Sequence, residues 1–171
     1  MIRPILLVED EEGDVFFMQM AMKNAGVSNP LQVASDGQQA IDYFQGTGKF
    51  ANREEFPLPC LVLLDLKLPR VMGLDVLKWI RQHQKLAVIV IVLSSSKEEA
   101  DIAAAYRLGA NGYLVKPSEV KQLSDVVKSI KDFWLAHNTP PPEAHKETTA
   151  RHRNHRVAPA KSCAEVEDSR R

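Results

Sequence analysis

The strongest constraint on the fold of this chain is a recurring pattern. Five short apolar runs each lead into a segment of helical character. PILLV (4–8) precedes GDVFFMQMAMKNAG (13–26), and LQVAS (31–35) precedes DGQQAIDYFQG (36–46). CLVLLDL (60–66) precedes GLDVLKWIRQH (73–83), and LAVIVIVLS (86–94) precedes SKEEADIAAAYRLG (96–109). Last, GYLV (112–115) precedes SEVKQLSDVVKSIKDFWL (118–135). The runs are continuously apolar, as strands covered on both faces of a parallel sheet must be. Right-handed crossovers between such strands predict a doubly wound α/β fold with a five-stranded parallel sheet.

The helical segments carry their own burial signal. Val120, Leu123, Val127, Ile130 and Trp134 step by three and four and predict one inward face. On the first helix, Phe17, Met18, Ala21 and Met22 are expected to face inward, with Phe16 and Met20 on the outer side. GTGKFANREEFPLP (46–59) reads as a long loop with Gly and Pro punctuation.

Composition changes near His137. Residues 137–171 hold three consecutive prolines, few large apolar residues and a charge of +2, against −2 for residues 1–136. Such a segment buries too little to offset chain entropy, so a domain over 1–136 and a disordered tail over 137–171 are expected. The net charge of zero gives no reason to expect nucleic acid or an acidic membrane surface as a partner. Cys60 and Cys163 form no CxxC pair, which fits a reducing compartment, and no apolar run approaches the ~20 residues of a membrane span. A cytoplasmic location is the expectation.

In an open parallel sheet, ligands bind outside the carboxyl ends of the strands. Those ends carry Glu9-Asp10, Ser35-Asp36 (nearer an edge), Asp65, Ser94-Ser95-Ser96 and Lys116-Pro117. One carboxylate at a strand end is most often a helix cap. Three carboxylates, a hydroxyl and a lysine converging from four strands need a different account. Clustered carboxylates repel and call for a counterion, and oxygen ligands suit a hard ion such as Mg²⁺. No GxxxxGK or GxGxxG motif points to nucleotide phosphates.

Together, LLVEDEEGD, LVLLDLKLP with a following Gly, VIVLSSS and NGYLVKP resemble the response-regulator receiver domain of two-component signalling, a flavodoxin-like (βα)5 fold. The insertion before the third strand, LDLKLPR after it and the terminal FWL are more narrowly similar to single-domain regulators that partner phytochrome-type histidine kinases. The resemblance implies that Asp65 accepts a phosphoryl group from a kinase phosphohistidine. It implies that Glu9, Asp10, Asp65 and the backbone carbonyl of Lys67 hold Mg²⁺, and that Lys116 neutralises the phosphoryl oxygens, aimed by a cis Lys116–Pro117 bond. Ser94 and Tyr113 become the switch pair, although Ser94 has a rival reading as a cap for the next helix, a role open to Ser95 or Ser96. Val71-Met72-Gly73 stands where many relatives read Met-Asp-Gly, and Lys67 where a smaller polar residue is common; the side chain of Lys67 is expected to influence phosphoryl lifetime.

No effector domain is apparent, so either output by protein contact or an end point as a phosphate sink is expected. Phe16 and Met20 are candidates for kinase docking. Val126 and Phe133, off the main stripe of the last helix, are candidates for a homodimer through the fourth helix, fifth strand and fifth helix. A pseudo-receiver that works without phosphate is the alternative. A small-molecule enzyme using the acidic cluster would need a pocket, for which only the 46–59 loop looks long enough.

Overall fold

The computed structural model describes residues 2–83 and 87–139. Five strands form one parallel sheet: β1 (Ile5–Val8), β2 (Leu31–Ala34), β3 (Leu61–Leu64), β4 (Ile89–Ser94) and β5 (Gly112–Val115), in the order β2-β1-β3-β4-β5. The connecting helices are α1 (Glu12–Asn24), α2 (Gly37–Gln45), α3 (Gly73–Gln82), α4 (Glu99–Arg107) and α5 (Val120–Ile130). Each expected strand and helix is present, trimmed by a few residues. The expected start of β4 at Leu86 and residues 140–171 of the expected tail lie outside the described residues.

Two cores flank the sheet. Leu6, Val8, Val62, Leu64 and Val90 pack on one face with Tyr43 and Phe44 of α2 and Val76, Leu77 and Ile80 of α3. Ile5, Leu7, Leu61, Leu63 and Ile91 pack on the other with Met18, Ala21 and Met22 of α1 and Leu123, Val127 and Ile130 of α5. Successive side chains of β1, β3 and β4 therefore serve opposite cores, which is why those runs had to be apolar throughout, whereas the edge strands β2 and β5 are only partly buried and β2 carries Gln32.

Two expectations about helix faces are corrected. Phe17 does not face inward; it is 43% exposed, because the buried stripe runs through Met18, Ala21 and Met22 and Phe17 lies about 100° round the helix from Met18. Val126 is not surplus to the core, since it packs partly buried against the α1/α5 cluster. Beyond Ile130 the α-helix widens into a π turn over Lys131–His137, closed by the Asn138 N–H donating to the Phe133 carbonyl at 2.7 Å. The wider turn lets Trp134 and Leu135 both touch the core.

The 46–59 segment is tightly built. Tyr43, fully buried, has ring centroids of Phe50 and Phe56 at 5.0 and 6.2 Å and donates its hydroxyl to the Pro57 carbonyl at 2.8 Å. Arg53 donates to the Tyr43 and Phe44 carbonyls at 2.7 and 2.6 Å, satisfying the C-terminal end of α2. The segment feeds the amino end of β3, where the Cys60 N–H donates to the Pro4 carbonyl. Its Lys49 side chain reaches Gln39 Oε1 at 2.6 Å in the first turn of α2, beside Ser35 and Asp36, while among the described residues no bond joins the segment to Glu9, Asp10, Asp65 or Lys116.

Candidate functional site

β1 and β3 are adjacent and paired in register, Val8 opposite Leu64, so the next residues, Glu9 and Asp65, emerge side by side. Both are buried, at 2% and 6% exposure, while Asp10 is exposed. One carboxylate oxygen from each of Glu9, Asp10 and Asp65 can be chosen so that all lie within 4.8 Å of one another, a spacing that could hold a metal ion. The donor set is all oxygen and partly open to water, which suits a hard divalent cation.

Lys116 follows β5 and reaches across the sheet to this group. Its Nζ donates to Glu9 Oε2 at 2.6 Å, Asp65 Oδ2 at 2.7 Å and Asp14 Oδ2 at 2.8 Å. Burial alone would lower the lysine's pKa, but hydrogen bonds to Asp14, Asp65 and Glu9 outweigh it and hold it above its ordinary value. The Glu9 carboxyl is raised, chiefly by burial and against the pull of Lys116. The Lys116–Pro117 bond is not the expected cis bond, for the described residues contain no cis peptide. A trans X–Pro bond is favoured by about 0.5–1 kcal/mol, and from it the ammonium already reaches all three carboxylates.

The other oxygen of Asp65, Oδ1, accepts from the Leu66 N–H at 2.6 Å and the Lys67 N–H at 3.3 Å. The Lys67 side chain itself is exposed. The backbone turn after Asp65 is pressed against the start of α3. A Cβ on Gly73 would stand 2.1 Å from the Asp65 carbonyl oxygen and 2.6 Å from Leu66 Cα. The Gly73 N–H donates to the Leu66 carbonyl at 3.0 Å. Of Val71-Met72-Gly73, the glycine thus sits beneath the site, while Met72 is 51% exposed.

The three serines separate by role. Ser94 ends β4 fully buried, and its Oγ accepts from the Ser96 N–H at 3.4 Å. Ser96 organises the turn into α4: its Oγ donates to Asp101 Oδ2 at 2.6 Å and accepts from the Glu98 N–H at 3.3 Å. Ser95 is exposed. Tyr113 donates its hydroxyl to the Ser96 carbonyl at 3.0 Å, which ties β5 to the β4–α4 turn. Asp36 is an ordinary helix cap, accepting from the Gln39 N–H at 2.7 Å.

The structure thus brings Glu9, Asp10, Asp65 and Lys116 together and sets Ser94 and Tyr113 on the neighbouring strands. Phe16 (56%), Met20 (40%) and Phe133 (56%) are exposed, away from the acidic group's own contacts. Sequence reasoning missed Asp14 and quoted Gly73 without giving it this packing role. Asp14 sits in the first turn of α1 and bonds Lys116 from 102 residues away, so no local spacing revealed it. Gly73 opens a helix without a cap of its own, a weak signal.

Comparison with known proteins agrees with this arrangement. The response regulator receiver domain family matches residues 5–128. The response regulator Rcp1 of Synechocystis sp. is 39% identical over 132 residues, covering 77% of this chain and 88% of its own. The crystal structure of the phosphorylated cyanobacterial phytochrome response regulator RcpA superposes with a TM-score of 0.76 at 37% identity, over 83% of this chain and 100% of that one. That of the Mn²⁺-bound form of Rcp1 gives 0.73 at 38% identity, over 82% and 99%. Among the described residues no helix is long and apolar enough to cross a membrane. With the β2-β1-β3-β4-β5 sheet and its acidic carboxyl end, these likenesses show that the chain belongs to the response regulator receiver family of two-component phosphorelay signalling.

Proposed function

We propose that Asp65 is the phosphoacceptor. The observation that carries this reading is the placement of its carboxylate: at the end of the central strand, one oxygen held by the Leu66 N–H and the other by Lys116. An Asp65 oxygen attacks the phosphorus of a kinase phosphohistidine. The P–N bond breaks, the imidazole leaves with its electron pair, and an acyl phosphate remains. Lys116 supplies positive charge to the phosphoryl oxygens. Hydrolysis returns the carboxylate and inorganic phosphate.

Glu9, Asp10 and Asp65, with the Lys67 carbonyl, are the residues that would hold Mg²⁺. When bound, the ion offsets charge on the transferring oxygens. The Mn²⁺-bound relative supports a divalent site of this kind. The Tyr113 hydroxyl, bonded to the turn that Ser94 and Ser96 build, is the natural element to move when Ser94 turns to a phosphoryl oxygen.

The donor is a sensor histidine kinase, of phytochrome type by analogy with the relatives, and it docks near Phe16 and Met20. The output face is a homodimer through α4, β5 and α5. Tyr106 on α4, Val115 on β5 and Phe133 in the π turn that continues α5 are exposed apolar residues, and Val126 backs them from the core side. The location is cytoplasmic.

The test is incubation with acetyl phosphate and Mg²⁺, read by intact mass. A phosphoryl adduct on the wild type that is lost in Asp65→Asn is expected. No adduct on the wild type would refute the reading in favour of a phosphate-independent binding module.

A further inference from the structure

Asp14 has no part in the reaction as set out above, yet it holds the lysine as closely as the other two carboxylates do. An ammonium group has three N–H donors and no more. In Lys116 all three are spoken for, by Glu9, Asp65 and Asp14. A phosphoryl oxygen arriving on Asp65 can gain an N–H only when one of these acceptors lets go. The three are not equally able to do so. Glu9 and Asp65 have side chains 2% and 7% exposed, so releasing either leaves a buried charge unpaired. The Asp14 side chain is 42% exposed and exchanges the lysine for water at little cost.

Asp14 also acts on the acidic group before any phosphoryl group arrives. Lys116 and a divalent cation draw on the same two carboxylates, Glu9 and Asp65. A lysine shared among three carboxylates binds those two less strongly than one held by them alone. On this geometry, and resting on the proposed role of Lys116, we infer that Asp14 is a positioning residue. It draws the ammonium partly off the metal-holding carboxylates, and it is the acceptor that yields an N–H to the phosphoryl group.

Two opposite effects follow from removing it, which general damage would not produce. In Asp14→Asn the lysine falls back on Glu9 and Asp65, so the Mg²⁺ requirement rises. The same change leaves that N–H on a neutral and weaker acceptor, which yields it more readily, so the acetyl phosphate requirement at saturating Mg²⁺ stays level or falls. The experiment titrates Mg²⁺ by calorimetry into the full chain as wild type, Asp14→Asn, Asp14→Glu, Lys116→Met and the Asp14→Asn/Lys116→Met double variant. Phosphoryl labelling against acetyl phosphate concentration follows for the variants that keep Lys116.

Asp14→Asn is expected to weaken Mg²⁺ binding about three- to fivefold, the scale of a partly exposed ion pair. Asp14→Glu should restore most of that loss. In the Lys116→Met background the same substitution should have less than about half the effect. Equal losses in both backgrounds would overturn the inference, since the carboxylate would then act by bulk charge alone. So would an acetyl phosphate requirement that rises together with the Mg²⁺ requirement. Absence of any wild-type adduct would refute the phosphoacceptor reading, and the calorimetric cycle would still decide the role of Asp14.

Discussion

Gly73 offers the sharpest test of how the fold shapes the site. In Gly73→Ala the new Cβ would fall 2.1 Å from the Asp65 carbonyl oxygen and 2.6 Å from Leu66 Cα. Both obstacles are backbone, so no side chain can swing away. Reaching even a tight contact requires a shift of about 1 Å between the start of α3 and the strand end, and overpacking of this kind costs ~2–3 kcal/mol. For a domain of about 130 residues, with ~2.1 cal/mol/K of unfolding entropy per residue, that lowers Tm by about 7–11 °C. The displaced backbone is that of Asp65 itself. A misplacement of ~1 Å at a reacting group costs up to about 100-fold in rate. Gly13→Ala is the control, because its Cβ meets nothing within 4 Å in the first turn of α1. There, alanine is expected to gain ~0.5–1 kcal/mol and raise Tm by about 2–4 °C. Calorimetric melting and acetyl phosphate labelling followed by intact mass read both effects. A Gly73→Ala protein melting within about 2 °C of wild type and labelling at its rate would refute the reasoning.

Three further outcomes are expected. Burial pushes the Tyr43 hydroxyl from 10.0 up to about 12. Since the folded value lies above the unfolded one, the stability it contributes is complete below pH 10 and is lost as pH rises from 10 through 12. Denaturant melts across that window should show a loss of ~2–3 kcal/mol, absent in Tyr43→Phe, which should itself cost about 1 kcal/mol through the unpaired Pro57 carbonyl. Lys67→Asn is expected to change the autodephosphorylation rate while leaving Tm within about 2 °C, the side chain being exposed; an unchanged phosphoryl half-life in purified protein counts against it. Sedimentation should show a dimer for the wild type and weaker association for Phe133→Asp, and monomer for both would remove the proposed output face.

The sequence by itself determined the sheet and the chemical character of its carboxyl end. Strands buried on both faces must be apolar throughout, so β1, β3 and β4 announce themselves, and the polar residues that follow or end them, Glu9, Asp65 and Ser94, mark where the apolar runs stop. The acidic set could be collected because strand ends in a parallel sheet share one edge. Helix faces were harder to read. A helix rich in large apolar residues, such as VFFMQMAM, offers more than one plausible inward stripe, and only packing against β1 and α5 settled that Phe17 is outside.

Contacts between distant segments belonged to the tertiary structure alone. The reach of Lys116 over 102 residues of sequence to Asp14 depends on where α1 lies against β5, which no local pattern encodes. The place of Gly73 under Asp65 depends on how closely α3 approaches the sheet. The trans Lys116–Pro117 bond is likewise a matter of context, since X–Pro energies are nearly balanced and the sequence is the same for either isomer. Sequence dictates which residues must leave water. The three-dimensional closeness of backbone and charge decides which of the residues left over can meet.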